Sequence, residues 1–166
     1  MIEEQLKVLK GFNDATKGMD LNAFSKKLNL TTAETIEQMK QLAKEGFLQK
    51  VGGGYGIAHK GKAALKALLP VPEGMSFQFY CALTQPIQLS AATLKEFYLA
   101  VRQVSLESLE FHLYRSDFEN WVRDAGKDPE LAHEISHLRE DEIRGDELRT
   151  ELLKLLDNAY SIRELI

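Results

Sequence analysis

Apolar residues recur at helical spacing in the first thirty positions of the chain. The first predicted helix runs from about residue 2 to residue 16, with an apolar stripe of Ile2, Leu6, Leu9 and Phe12. The second runs from Leu21 to Leu28 and presents Leu21, Phe24 and Leu28 on one face. Asp20 precedes it directly, where a short acidic side chain can cap the free backbone N–H groups of a helix. Two short amphipathic helices are therefore expected here.

A third helix is predicted from its capping signal. Thr31 is followed three residues later by Glu34, which fits a capping box. The helix is expected to continue to about Glu45 and to end at Gly46, because glycine readily adopts the left-handed conformation that terminates helices. Its predicted buried side consists of Thr35, Met39, Leu42 and Ala43.

Beyond Gly46 the pattern changes to that of short strands. Residues 47–51 and 55–58 are rich in strand-forming side chains and flank the turn Gly52-Gly53-Gly54. This arrangement predicts a β-hairpin. Residues 63–69 then predict a short helix.

The second part of the chain reads as mainly helical. A short strand is predicted first, because Phe77, Phe79, Cys81 and Leu83 alternate with polar positions. Helices are predicted from Ser90 or Ala91 to about 104, and over 105–114, 116–125, 129–143 and 146–159. Ser116 and the pair Asp128-Pro129 mark two helix starts. The expected fold class is mainly α with a small β-hairpin, the second part forming a small helical bundle.

The amino-acid composition indicates that the chain folds without a disulfide. It has 166 residues, of which 44% are hydrophobic and 28% charged, close to the average of globular proteins. The single cysteine, Cys81, can form no internal disulfide and can supply no structural zinc site alone. Since the sequence has no apolar stretch long enough for a membrane span and no basic start typical of a signal peptide, a cytoplasmic location is expected.

Charge divides the chain into two parts. Through Gly74 there are 11 Lys+Arg against 8 Asp+Glu, a net charge of +3, and from Met75 onward 10 against 17, a net charge of −7. The proline-containing segment Pro70–Gly74 lies at this change and predicts a hinge. We therefore predict a first domain over residues 1–70, a linker over 71–75 and an acidic helical domain over 76–166.

Two segments of the first domain resemble the winged helix-turn-helix transcriptional regulators of prokaryotes. They are Leu42-Ala43-Lys44-Glu45-Gly46-Phe47-Leu48 and Tyr55-Gly56-Ile57-Ala58-His59-Lys60-Gly61. The resemblance implies that the third helix enters the major groove of duplex DNA, while the hairpin, the wing, touches the adjacent backbone or minor groove.

Candidate DNA-binding residues follow from this arrangement. Candidate base readers on the third helix are Glu34, Gln38 and Gln41, and Thr31 and Thr32 are placed for phosphates at its start. The candidate phosphate contacts are Lys26, Lys27, Lys40, Lys50, Lys60 and Lys62, and Tyr55 joins them as a residue of the wing.

Two features favour other interpretations of the same domain. No arginine precedes Arg102, although arginine is the usual bidentate reader of guanine, and Glu34 and Glu37 would repel phosphates. The lysines could form an ordinary solvated face. A winged helix that binds a protein or a ribonucleoprotein is the first alternative.

Residues 108–124 resemble an uncharacterised prokaryotic family of small helical domains. The similarity lies in the pairs Phe111-His112 and Asp117-Phe118 and in Arg115 and Trp121, and is followed by a segment like 128–132. It would cover roughly residues 77–156 and implies a fold rather than an activity. Phe111, Phe118 and Trp121 are interpreted as core, and His112 and Arg115 as hydrogen-bonding residues near a helix junction. A small-ligand site is the alternative.

The segment His133-Glu134-Ile135-Ser136-His137 matches the zinc-protease pattern, in which two histidines bind zinc and the glutamate acts as general base. Both histidines are expected on the solvated side of their helix, opposite Leu131, Ala132, Ile135 and Leu138, and no third ligand is evident. A zinc-dependent hydrolase is thus a remote alternative. We predict no enzyme activity, no catalytic residue, no metal and no cofactor.

The function predicted from sequence is that of a DNA-binding transcriptional regulator. Its partner would be duplex DNA, and its acidic helical domain would serve dimerisation, giving a homodimer, or would bind a protein partner. No membrane association is expected.

Overall fold

The structure is a computed structural model that describes residues 1–14 and 20–166. It divides into two compact units. The first unit comprises Met1–Leu65 together with Glu164–Ile166, and the second unit comprises Lys66–Arg163. The domain boundaries placed from sequence at residues 70 and 76 stay predictions.

Three helices, a hairpin and a fourth helix follow one another from the start of the chain: α1 (Glu3–Asp14), α2 (Leu21–Leu28), α3 (Thr32–Lys44), β1 (Leu48–Val51), β2 (Gly54–Ile57) and α4 (His59–Leu68). The predicted end of the first helix and the connection before Asp20 lie outside the described residues. Helix α4 begins four residues before the predicted start, because its first turns also contain the polar residues His59 and Lys62, which are exposed, and Lys60, which is half-buried.

Local hydrogen bonds set the ends of α2 and α3 as the sequence predicts. The backbone N–H of Ala23 donates to the carboxylate of Asp20 over 2.7 Å. Thr31 and Glu34 form a capping box: the N–H of Thr31 donates to Glu34 Oε2 at 2.8 Å, and the N–H of Glu34 donates to Thr31 Oγ1 at 3.2 Å. Between the two helices Asn29 is left-handed, with φ 58°, and this conformation turns the chain.

Antiparallel pairing joins β1 to β2 as predicted, with Leu48 opposite Ile57 and Lys50 opposite Tyr55. The core of the first unit includes Val8, Leu9, Leu42, Phe47 and Leu48, each at most 2% exposed. Gly61 of α4 allows the close approach of the strand segment, since a Cβ atom there would lie 2.2 Å from the carbonyl oxygen of Phe47. Any larger residue would force the backbone apart.

The second unit begins with two antiparallel strands, β3 (Phe77–Ala82) and β4 (Gln85–Ala91), where the sequence predicts only one. The helices that follow are α5 (Leu94–Gln103), α6 (Leu106–Tyr114), α7 (Asp117–Asp124), α8 (Pro129–Glu140) and α9 (Gly145–Tyr160). A 3-10 turn over Ile162–Leu165 follows. The predicted helix is present as α5, but its predicted start at Ser90 or Ala91 is wrong. Ile87, Leu89 and Ala91 alternate inward along β4, and Thr93 is the residue that caps α5. The fold class, mainly α with a small hairpin, is confirmed.

Of the two helix starts predicted from capping residues in this unit, the one at Asp128 has the expected cap and the one at Ser116 does not. Asp128 caps α8 through Leu131 N–H at 3.0 Å, with Pro129 in the first turn, as expected. Ser116 precedes α7 but is left-handed, with φ 64°, and makes no side-chain cap. Its role is a turn between α6 and α7 rather than a cap, because a hydroxyl held in this conformation does not reach the first-turn N–H groups.

An aromatic cluster fills the core of the second unit. The ring centroid of Phe97, which is fully buried, lies 5.3 Å from that of Phe118, 4.9 Å from that of Trp121 and 5.4 Å from that of Phe77. These separations are those of favourable aromatic pairs. In the described residues no helix is both long and apolar enough to cross a lipid bilayer.

Candidate functional site

The residues predicted at the start of α3 are engaged in the helix cap. Thr31 and Glu34 bond to each other through backbone and side chains, and this bonding holds the pKa of the Glu34 carboxyl below its usual value. Thr32 Oγ1 lies 3.2 Å from Asn22 Oδ1. Thr31, Thr32 and Glu34 lie at the N-terminal end of α3, where the free backbone N–H groups of a helix point outward.

Further along α3 the predicted side chains differ in availability. Gln41 is exposed, but its amide nitrogen donates to Glu45 one turn later. Gln38 is half-buried and Lys40 is exposed. Glu34, Gln38 and Gln41 are spaced four and three residues apart and therefore lie on the same side of α3.

The candidate phosphate contacts separate into free and engaged lysines. Lys60 donates to the carbonyl of Glu45, pairs with Glu164 and lies 4.5 Å from the centre of the Phe47 ring. The other candidates are exposed and form no ion pair with any residue in the described ranges: Lys26, Lys27, Lys40, Lys50 and Lys62. Tyr55, half-buried, lies directly opposite Lys50 on the hairpin.

His133 and His137 converge on the exposed side of α8. Their Nε2 atoms lie 3.2 Å apart, and Nδ1 of His137 lies 3.1 Å from a carboxylate oxygen of Glu140. Both histidines are exposed, and Leu131, Ala132, Ile135 and Leu138 are buried on the other side of the helix, as the sequence predicts. Across residues 1–14 and 20–166 there is no group of three or more side chains that could hold a metal ion. Two histidines alone do not make the three-ligand site of a zinc hydrolase.

His112 is buried, 2% exposed, and both of its ring nitrogens are occupied. The backbone N–H of Tyr80 donates to Nε2 at 2.8 Å, so the ring proton is on Nδ1, which donates to Asp117 Oδ2 at 2.8 Å. Ser108 Oγ donates to the carbonyl of Tyr80 at 2.7 Å. Helix α6 thus binds both backbone groups of one residue of β3.

Burial lowers the pKa of His112, against the opposing effect of Asp117. The imidazole is therefore neutral at neutral pH. Because its only lone pair accepts a backbone N–H, it has no free nitrogen with which to act as a general base. Its role is to hold β3 against α6, which confirms its interpretation as a hydrogen-bonding residue at a helix junction.

Beside His112 an open cleft of about 450 Å³ lies between β3 and helices α6 and α7. Its apolar lining includes Phe77, Phe111 and Trp121, and its polar lining includes Arg115, Asp117 and Asn120. We call this site the α6–α7 cleft. Phe118 is buried as predicted, but Phe111 and Trp121 are only half-buried because they line the cleft.

Hydrogen bonds and packing fix several side chains of the α6–α7 cleft. The Arg115 guanidinium lies 5.0 Å from the centre of the Phe111 ring, and its Nε lies 3.4 Å from Asp117 Oδ2. Trp121 Nε1 donates to the carbonyl of Met75 at 2.6 Å. Asn120 Oδ1 accepts from Arg123 at 3.0 Å, leaving the amide hydrogens of Asn120 for other acceptors.

Sequence reasoning located these residues but not the cleft. The pattern of Phe111-His112, Arg115, Asp117-Phe118 and Trp121 is visible in the sequence. It does not predict that β3 pairs with β4 or that the chain turns at Ser116. These two features bring Phe77 and Trp121 to the same cleft.

The second unit is a mainly helical domain with one two-stranded sheet and an aromatic cleft. A family model described as a family of unknown function (DUF5752) matches residues 74–166, more than half of the chain, and the protein belongs to that family. The predicted resemblance of the second part to an uncharacterised family is thereby confirmed. No curated protein matches the chain, and no solved structure matches it.

Proposed function

We propose that the protein is a DNA-binding transcriptional regulator and that its first unit is a winged helix-turn-helix. The order α1, α2, α3, β1, β2, α4 is that of this fold, with the left-handed Asn29 between α2 and α3. In such a unit α3 enters the major groove and the β1–β2 hairpin contacts the adjacent backbone.

The observation that carries the proposal is the set of exposed lysines on these elements without an acidic partner in the described chain. Lys26 and Lys27 end α2, Lys40 lies on α3, Lys50 on the hairpin and Lys62 on α4. Lysines that neutralise phosphates release condensed counterions, which provides affinity for duplex DNA. Lys60 contributes less, because it already pairs with Glu164.

Fluorescence anisotropy of a labelled duplex of mixed sequence, measured over a salt series, tests the proposal. We expect binding in the micromolar range or tighter, weakening steeply as salt rises. In the double variant Lys50→Glu and Lys62→Glu, the negative slope of log K against log salt should become less steep by about 2. Each phosphate contact contributes about 0.9 to its magnitude.

The matched control is the double variant Lys95→Glu and Lys154→Glu in the second unit, which changes the net charge equally. Its slope should stay at the wild-type value. Absence of binding even at low salt would overturn the proposal, as would equal slopes for the two double variants.

The alternative, a winged helix that binds a protein or ribonucleoprotein, is supported by the side chains of α3 itself. Glu34 is bound within its cap and Gln41 is bound to Glu45, so neither is free to read a base edge without breaking a bond. Under this alternative the anisotropy titration shows no duplex binding at low salt.

We propose that the acidic second unit supplies dimerisation or binds a protein partner. A homodimer would place two α3 helices on a two-fold symmetric DNA site. Light scattering coupled to size-exclusion chromatography tests the dimer. A monomer mass of about 18.8 kDa at all concentrations would contradict it.

A further inference from the structure

The α6–α7 cleft is built from residues that the proposed DNA-binding function does not use. All of its lining belongs to the second unit, within the residues matched by the family model. Its volume of about 450 Å³ falls in the range of small-molecule sites, roughly 300–1,000 Å³. It combines apolar rings with a few polar groups, which is the usual composition of such sites.

Arg115 and Asn120 offer hydrogen-bond donors to the cleft. Arg115 uses Nε towards Asp117, and its two terminal nitrogens bind no other residue in the part of the chain that the structure describes. Asn120 keeps its amide hydrogens, because its oxygen accepts from Arg123. A ligand that fits these groups must present acceptors.

One oxygen of the acidic group of the cleft is already engaged. Asp117 Oδ2 accepts the Nδ1 proton of His112 and lies 3.4 Å from Arg115 Nε. The Arg115 guanidinium is positioned by two contacts, with Asp117 Oδ2 3.4 Å from Nε and the centre of the Phe111 ring 5.0 Å away. A preoriented guanidinium fork matches the two oxygens of a carboxylate.

The lining of the cleft also includes apolar rings. Phe77 is 6% exposed and Trp121 is half-buried, with the indole fixed through its bond to Met75. An aliphatic or aromatic body would displace water from these rings, while its acid group meets Arg115.

We propose that the α6–α7 cleft binds a small organic carboxylic acid with an apolar body, the carboxylate lying on Arg115 and Asn120 and the body on Phe77 and Trp121. The proposal is independent of DNA binding, because no residue of the first unit takes part in it.

Trp121 is the only tryptophan of the chain, so its fluorescence reports directly on the cleft. The full chain is titrated with phenylacetate, 4-phenylbutyrate and octanoate, and in parallel with the amide of each acid. We expect a saturable change of Trp121 emission with at least one acid, and an affinity at least tenfold weaker for its amide.

Arg115→Gln should weaken the same acid at least tenfold, since it removes the charge and the fork. Arg102→Gln is the matched control, an exposed arginine of α5 outside the cleft, and should bind as wild type. Asn120→Asp is a second variant on an exposed position, and it should also bind at least tenfold more weakly because it replaces a donor by a like charge.

Isothermal calorimetry repeats the titrations without relying on fluorescence. Three results would overturn the proposal: no saturable binding of any of the three acids, equal binding of acid and amide, or unchanged affinity in both Arg115→Gln and Asn120→Asp.

Discussion

Replacing His112 tests the strongest structural inference about the second unit, that one buried imidazole joins β3 to α6. His112→Ala removes the acceptor of the Tyr80 N–H and leaves that backbone group without a partner in the described structure. An unsatisfied buried donor costs about 1–3 kcal/mol. The substitution also removes ring contacts with Phe77, at 4.9 Å, and Phe118, at 5.5 Å, which are worth about 0.5–1.5 kcal/mol each. We therefore expect a loss of about 2–6 kcal/mol in the free energy of unfolding.

His112→Phe separates the two contributions. Phenylalanine keeps most of the ring packing but accepts no hydrogen bond, so only the hydrogen-bond part should be lost, about 1–3 kcal/mol. His133→Ala is the control, because His133 is exposed on α8 and a surface change of this kind lies within about 0.5 kcal/mol of wild type.

Urea unfolding followed by Trp121 emission measures these values for the second unit, which contains this residue. The order of stability should be wild type and His133→Ala, then His112→Phe, then His112→Ala. If His112→Ala unfolds within about 0.5 kcal/mol of wild type, the inferred bond between β3 and α6 contributes nothing and the reasoning is refuted.

Three further predictions follow from the same structure. Gly61→Ala should destabilise the first unit by more than about 2 kcal/mol, because its methyl group would overlap a backbone carbonyl, whereas Gly53→Ala, with nothing within 4 Å of its Cβ position, should differ by less than about 1 kcal/mol in thermal unfolding. Burial holds the folded-state pKa of His112 below the ordinary histidine value of about 6.5, so its contribution to stability is present above that pH and is lost as pH falls. The wild type should therefore lose stability more steeply than His112→Phe between about pH 7 and about pH 5, and parallel pH profiles would contradict this. Protein purified without a histidine tag should carry no stoichiometric zinc by elemental analysis, and His133→Ala with His137→Ala should leave its metal content unchanged; one zinc per chain would revive the hydrolase interpretation.

The parts of the fold predicted from sequence are those fixed by neighbours in the chain. The capping box of Thr31 and Glu34 needs only residues three apart, and the end of α3 before Gly46 needs one left-handed glycine, with φ 82°. The hairpin at Gly52–Gly54 is also a short-range signal. Each of these features could be predicted because the interactions that stabilise it join residues only a few positions apart in the chain.

The parts that were not predicted depend on contacts between distant residues. Strand β4 contains Pro86 and few β-branched side chains, so its pattern alone is weak, and it forms because it pairs with β3. The bond from Tyr80 to His112 spans 32 positions, and the one from Trp121 to Met75 spans 46. Tyr80, His112 and Trp121, which make these bonds, line the α6–α7 cleft, so its residues could be named from sequence while its shape, which depends on distant contacts, could not.

The composition of the first unit has a consequence for how the chain folds during its synthesis. That unit takes Glu164–Ile166 from the far end of the sequence, and Glu164 is the partner of Lys60, whereas the second unit is one uninterrupted segment, Lys66–Arg163. Domains usually fold in the order in which they leave the ribosome. Here the second unit has all of its residues outside the ribosomal tunnel before the first unit does, and Lys60 can pair with Glu164 only after residues 164–166 have left the tunnel.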